Sequence, residues 1–127
     1  MPMTFSPSSR HPARALQVWQ ILVSKAMNRQ TITYQALSKM VYRKEAAGVF
    51  ADVLGHVACF CRSEKLPHLT TIVVGKWTGR PQWELEFDVD VERERVYRTD
   101  WFDIYPPSEL NFANAWRDFQ PKPKKAA

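Results

Sequence analysis

Between residues 14 and 28 the chain carries Leu16, Trp19, Leu22/Val23 and Ala26/Met27 at helical spacing, and Val18 and Ile21 widen the stripe until little polar face remains. A helix apolar on nearly every side belongs at the centre of a core, with other elements packed around it. Arg29 and Gln30 end it. The Thr31-Ile32-Thr33 run that follows is too β-branched for good helix and too short for more than a brief strand. Thr33 is then a natural N-cap for a second helix over 34–42, which predicts Ala36, Leu37, Met40 and Val41 facing inward. Beyond the polar Arg43-Lys44-Glu45, Val49/Phe50, Val53/Leu54, Val57/Ala58 and Cys61 recur every four residues, a third helix over 46–65 whose other face holds Asp52, His56, Cys59 and Ser63.

Pro67 stops that helix, and the β-branched Thr70-Thr71-Ile72-Val73-Val74 reads as a strand. Gly75 and Gly79 bracket a turn, after which Trp83-Glu84-Leu85-Glu86-Phe87 alternates apolar and acidic residues as a strand with one buried face does. The two strands predict a β-hairpin. Asp88 or Asp90 caps a fourth helix running to about residue 101, with Glu94 placed four residues before Arg98 for an ion pair. Pro106-Pro107-Ser108 opens a last helix over 109–119, and the basic, Pro-broken stretch 121–127 is expected to be disordered. The chain therefore divides into a flexible arm at 1–12, a core at 13–87, a C-terminal helical extension at 88–120 packed on that core, and the tail.

Composition narrows the function classes. With 127 residues, 45% of them hydrophobic and 24% charged, the chain is one domain's worth of ordinary globular sequence. No apolar stretch approaches the roughly 20 residues that span a bilayer, and residues 1–12 lack the apolar region of a secretory signal, so a cytoplasmic location without a membrane is expected. Residues 1–80 hold eleven Lys/Arg against three Asp/Glu, a balance of +8, while residues 81–120 hold four against ten, a balance of −6. A basic front half is the electrostatic footprint of an anionic partner such as nucleic acid, unless the acidic half neutralises it in the fold.

The order helix, short strand, helix, helix, strand, turn, strand predicts an α+β winged helix-turn-helix of three helices plus a β-hairpin wing, with a C-terminal helical extension. Val18-Trp19-Gln20, Thr33-Tyr34, Leu54-Gly55-His56 and Leu66-Pro67-His68 give residues 14–80 a further likeness. That stretch resembles the DNA-binding half of alkylguanine-DNA alkyltransferases and alkyltransferase-like proteins, in which a Thr-Tyr-Gly turn, a helix with Val-Gly and a Pro-Cys-His-Arg-Val motif succeed one another. The departures matter as much. Pro67-His68-Leu69-Thr70 lacks the reactive Cys, which removes alkyl transfer. Asp52 stands where the resemblance puts the Arg that fills the gap left by a flipped nucleotide, and an acid there repels phosphate. Gln35 replaces the turn's glycine, whereas Tyr34 matches the family's Tyr that lies against the DNA backbone.

Other chemistry is weakly signalled. Cys59 and Cys61, two apart on a helix, point about 200° away from each other and read as buried structural thiols. No C-x-x-C or H-x-x-x-H spacing suggests a metal, and no cofactor motif is present. His56 and His68 have no recognisable nucleophile or carboxylate beside them; the first reads as a polar-face or interface residue and the second as a loop residue. Most of Trp83, Trp101, Tyr105 and Trp116 are expected in the core, and Glu84, Glu86, Glu92 and Glu94 read as a solvated strand face followed by a salt-bridged helix rather than a nucleic-acid mimic. The turn Gly75-Lys76-Trp77-Thr78-Gly79-Arg80 sets two cations about an aromatic that either stacks on a base or a protein partner, or folds back on the hairpin. The expected function is non-enzymatic binding of duplex DNA through Tyr34, Arg43, Lys44, Lys76, Trp77 and Arg80, mainly by phosphate contacts. The alternative is a protein-interaction module, an adaptor or inhibitor, on the same frame.

Overall fold

The apolar segment forms α1 (His11–Met27), with Pro12 in its first turn, where a missing N–H is harmless. Ala15, Val18, Trp19, Leu22, Val23 and Ala26 are buried, and α1 touches most of the other elements. Trp19 is the hub, with the rings of Phe60, Trp101 and Phe112 at 5.3, 5.6 and 6.1 Å in edge-to-face arrangements. The helix closes on Arg29 in the left-handed region (φ 53°), which lets Gln30 N–H reach the Lys25 carbonyl at 2.9 Å. The structure, a computed structural model, describes residues 10–43, 47–81 and 88–119. Residues 1–9 of the expected arm, Lys44, the expected strand at 83–87 with its acidic residues, and the tail at 121–127 lie outside the described residues, while His11 and Pro12, placed in the arm by the sequence, open α1.

A two-residue strand, β1 (Ile32–Thr33), runs into α2 (Tyr34–Tyr42), and the Thr33 hydroxyl caps α2 by accepting from the Ala36 N–H at 3.1 Å. Leu37 and Val41 point inward as expected, but Ala36 and Met40 do not. At 100° per residue the face set by Tyr34, Leu37 and Val41 turns Ala36 and Met40 toward solvent. The helix α3 (Ala47–Ser63) buries Phe50, Val53, Leu54, Val57, Phe60 and Cys61 and ends on Lys65, again left-handed (φ 56°), with Leu66 N–H on the Cys61 carbonyl at 2.8 Å.

The β-branched run is only partly strand. Leu69–Ile72 forms a 3-10 turn and only Val73–Val74 pairs as β2, because the Thr71 N–H and hydroxyl both donate to the His68 carbonyl, at 3.0 and 2.9 Å. The strands run parallel, Ile32 beside Val73 and Thr33 beside Val74. The Asp88 carboxylate caps α4 (Val89–Arg98) by accepting from the N–H groups of Asp90 and Val91 at 2.9 and 3.2 Å. Glu94 pairs with Arg98 at 3.2 Å and with Arg29 at 3.3 Å.

Two expectations about the second half need correction. The fourth helix stops at Arg98, and Trp101 begins a separate 3-10 turn (Trp101–Asp103) in which its indole N–H donates to the Val96 carbonyl at 2.8 Å. Glu92 forms the ion pair expected of this helix, accepting from Arg95 at 2.9 Å, and is itself buried. Tyr105 is 94% exposed, so it takes no part in the core. The final helix, α5 (Glu109–Phe119), starts from a reciprocal cap in which Ser108 and Asn111 bond each other's backbone N–H. Its Phe112 and Ala115 are buried against α1 and α3. The described residues thus form an α+β arrangement of five helices and one two-stranded parallel pair. None of the described helices is long and apolar enough to cross a membrane.

Candidate functional site

Parallel pairing decides what meets at one end of the molecule. Because Thr33 lies beside Val74, Tyr34 and Gly75 leave the same end of the pair, at neighbouring-strand spacing. The capped start of α2 and the 75–80 loop are therefore adjacent. The Gly75 N–H donates to the Arg80 carbonyl at 2.8 Å and the Gly79 N–H to the Gly75 carbonyl at 3.1 Å, which closes the loop on itself. Gly79 sits at φ 63°, a conformation that favours glycine. The Thr78 hydroxyl adds bonds to both the N–H and the carbonyl of Arg80, each at 3.2 Å.

A strap from α4 fastens the loop. The Arg93 guanidinium donates to the Thr71 and Gly79 carbonyls, both at 3.2 Å, so it ties the 3-10 turn to the loop tip. Arg80 pairs with Asp90 of α4 at 3.6 Å with both side chains exposed, a weak contact by itself. On this support Trp77 is 90% exposed, so it does not fold back on its own loop. The Lys76 ammonium lies over one face of the indole, 5.1 Å from the ring centroid. One face of Trp77 thus carries a cation.

The other predicted residues fall differently. Tyr34 is half-buried at the start of α2, its ring edge-on to Phe50 at 5.1 Å, and burial, then the neighbouring Tyr42, pushes its phenol pKa up. Arg43 is exposed in the left-handed region (φ 64°) at the opposite end of α2. A nine-residue helix separates it from the loop by roughly 13 Å at the usual rise. The structure gathers Lys76, Trp77 and Arg80 on one loop beside the start of α2 at Tyr34, whose ring packs on Phe50, and leaves Arg43 apart. Arg93 and Asp90, which hold the loop and one of its cations, carried no signal in the sequence beyond ordinary helix-surface charge.

The polar face of α3 is partly covered, with His56 as an interface residue and Cys59 as a buried thiol. Trp116 of α5 stacks on His56 with ring centroids 4.4 Å apart and planes within 6°, and the edge of His11 meets His56 at 5.9 Å. Gly55 makes the approach possible, since a Cβ there would lie 2.6 Å from Trp116 Cζ3. His56 is consequently buried; Cys59 is buried as well, while Asp52 and Arg62 remain exposed. His56 Nδ1 donates to the Asp52 carbonyl at 2.7 Å, and burial holds the imidazole below its usual pKa against the raising effect of that carbonyl. Burial also pushes up the Cys59 thiol, and that of Cys61 to about 12. Both cysteines are free thiols, and no group of three His, Cys, Asp or Glu among the described residues is placed to hold a metal ion. Comparison of the chain with protein-family models, curated proteins and solved structures gives no match.

Proposed function

We propose that the chain is a non-enzymatic nucleic-acid-binding protein on a winged-helix frame of alkyltransferase-like type, with the 75–80 loop as its gripping element. The observation that carries this reading is Trp77, almost fully exposed on a fastened loop with the Lys76 ammonium over its ring. A large indole held in water gains little for folding, and its use lies in a partner. Lys76, Arg80 and the basic balance of residues 1–80 favour an anionic one. The order of α1, β1, α2, α3 and β2 supports the frame. Binding without catalysis is supported by the state of the reactive side chains: both thiols are held protonated by burial, and the His56 ring is stacked and bonded.

The test is the salt dependence of oligonucleotide binding, followed by fluorescence anisotropy. Each phosphate that no longer meets a cation flattens the log-log slope by roughly 0.7 to 0.9. Replacing Lys76 and Arg80 together by Ala is therefore expected to flatten it by roughly 1.4 to 1.8. An unchanged slope, or no binding at low salt, overturns the reading. The second reading, a protein-binding module, is favoured by the exposed side chains of Phe102, Tyr105 and Leu110 on the C-terminal elements. It predicts no oligonucleotide binding at any salt concentration.

A further inference from the structure

We infer that the nucleic acid this surface takes is single-stranded, or unpaired at the point of contact, rather than a closed duplex; the inference rests on the reading just given. Two observations carry it together. First, the helix that a winged-helix protein would lay in the major groove has its His56 and Gly55 side occupied by Trp116. Toward its N-terminal half α3 leaves exposed Val49, Ala51 and Asp52, which offer no side-chain donor to a base edge, and Asp52 repels phosphate; its exposed cation, Arg62, lies in the last turn. The described N-terminal half of that helix, the part a winged helix uses to read bases, therefore offers a groove little to bind.

Second, the group that remains is a flat aromatic. Lys76 covers one face of Trp77, and at 90% exposure the opposite face is open to solvent. An indole face recognises another π-face, and within a duplex every internal base already has its faces covered by its neighbours. Only an unpaired, terminal or looped-out base presents one. The cation on the far side of the indole adds attraction for the strand's phosphates, and Arg80 extends the positive charge along the loop. The loop closures at 2.8 and 3.1 Å and the Arg93 strap hold Trp77 in place before the strand arrives, so little ordering is left to be done on binding. A stacking platform of this kind tolerates any base, and weak sequence preference follows.

The experiment compares a labelled 12-nucleotide single strand with the duplex of the same sequence at equal, low salt, using the full chain and its Trp77→Ala and Trp77→Phe variants. Trp77 is exposed, so neither substitution disturbs the core. The single strand is expected to bind at least tenfold more tightly than the duplex. Trp77→Ala is expected to weaken single-strand binding roughly 5- to 150-fold, the range for removal of one stacked base, with Trp77→Phe in between. Binding should also quench part of the tryptophan emission in the wild type and less of it in Trp77→Ala. Duplex binding equal to or tighter than single-strand binding, or Trp77→Ala binding as the wild type does, overturns this inference while the nucleic-acid reading stands. Binding of neither probe overturns both, and favours the protein-binding module.

Discussion

Gly55→Ala separates two effects of opposite sign that meet at one atom. In the middle of α3, alanine is favoured over glycine by about 1 kcal/mol from helix propensity alone. Against this, the new Cβ would lie 2.6 Å from Trp116 Cζ3 and 3.3 Å from Cη2, inside ordinary contact distance. The backbone of α3 cannot give way cheaply, so the indole edge must move, and the ring that moves is the one stacked on His56 at 4.4 Å. Overpacking of this kind costs about 1–3 kcal/mol and disruption of an aromatic stack about 0.5–1.5 kcal/mol. Trp116 is half-buried and has room on its solvent side, which selects the lower part of those ranges, about 2–3 kcal/mol together. After the propensity gain the variant should lose about 1–2 kcal/mol, a fall in Tm of about 4–8 °C for a chain of this size. In a Trp116→Ala background the clash is absent, and the same substitution should stabilise by about 1 kcal/mol. Thermal and urea unfolding of the four proteins closes the cycle, with a coupling of about 2–3 kcal/mol expected. If Gly55→Ala raises the Tm of the wild type, or shifts both backgrounds equally, Trp116 does not lie where the reasoning puts it.

Two further outcomes follow from the packing. The folded-state pKa of His56 lies below the ordinary 6.5 because of burial, and burial lowers that of His68 as well. Below 6.5 the unfolded chain therefore binds more protons than the folded one, so stability is fully present above that pH and is lost as pH falls toward the folded values. Tm should be level between about pH 7 and 8 and decline from about 6.5 downward; His56→Phe should remove part of the decline, and a wild-type Tm flat from pH 7.5 to 5 would contradict the assignment. Thr33→Ala removes the acceptor for the Ala36 N–H and should destabilise by about 1 kcal/mol, about 4 °C in Tm, measured by circular dichroism.

What could be read from the residues alone was whatever a local rule decides. The stripe of α1, the Thr33 and Asp88 caps, and the Ser108 start of α5 depend on residues within a turn or two of one another, and all are present. The run 70–74 misled because β-branched residues suit a strand, yet two threonine-to-carbonyl bonds local to residues 68 and 71 won over that preference. The fate of the α3 polar face was hidden for a different reason. Burial of His56 depends on Trp116, sixty residues away, and no periodicity spans that distance. The one trace was Gly55, a glycine inside an otherwise apolar helical pattern, which marks a close approach without naming the visitor. At the loop, Lys76, Trp77 and Arg80 were visible as a cluster, but the exposure of Trp77 depends on the Arg93 strap, whose partners are carbonyls and leave no mark in a sequence.

The parallel pairing of Ile32 with Val73 sets an order of events as well as a geometry. Bringing these residues together closes a stretch of about forty residues, an entropic demand of about 3 kcal/mol that two ladder residues cannot meet by themselves. The strand pair is therefore expected to form after α1, α2 and α3 have condensed, which φ-value analysis of Val73→Ala against Leu22→Ala would check. In that order Trp77 would take its final position late in folding, and a substitution that slows the condensation of those helices would delay the appearance of the binding surface without touching it.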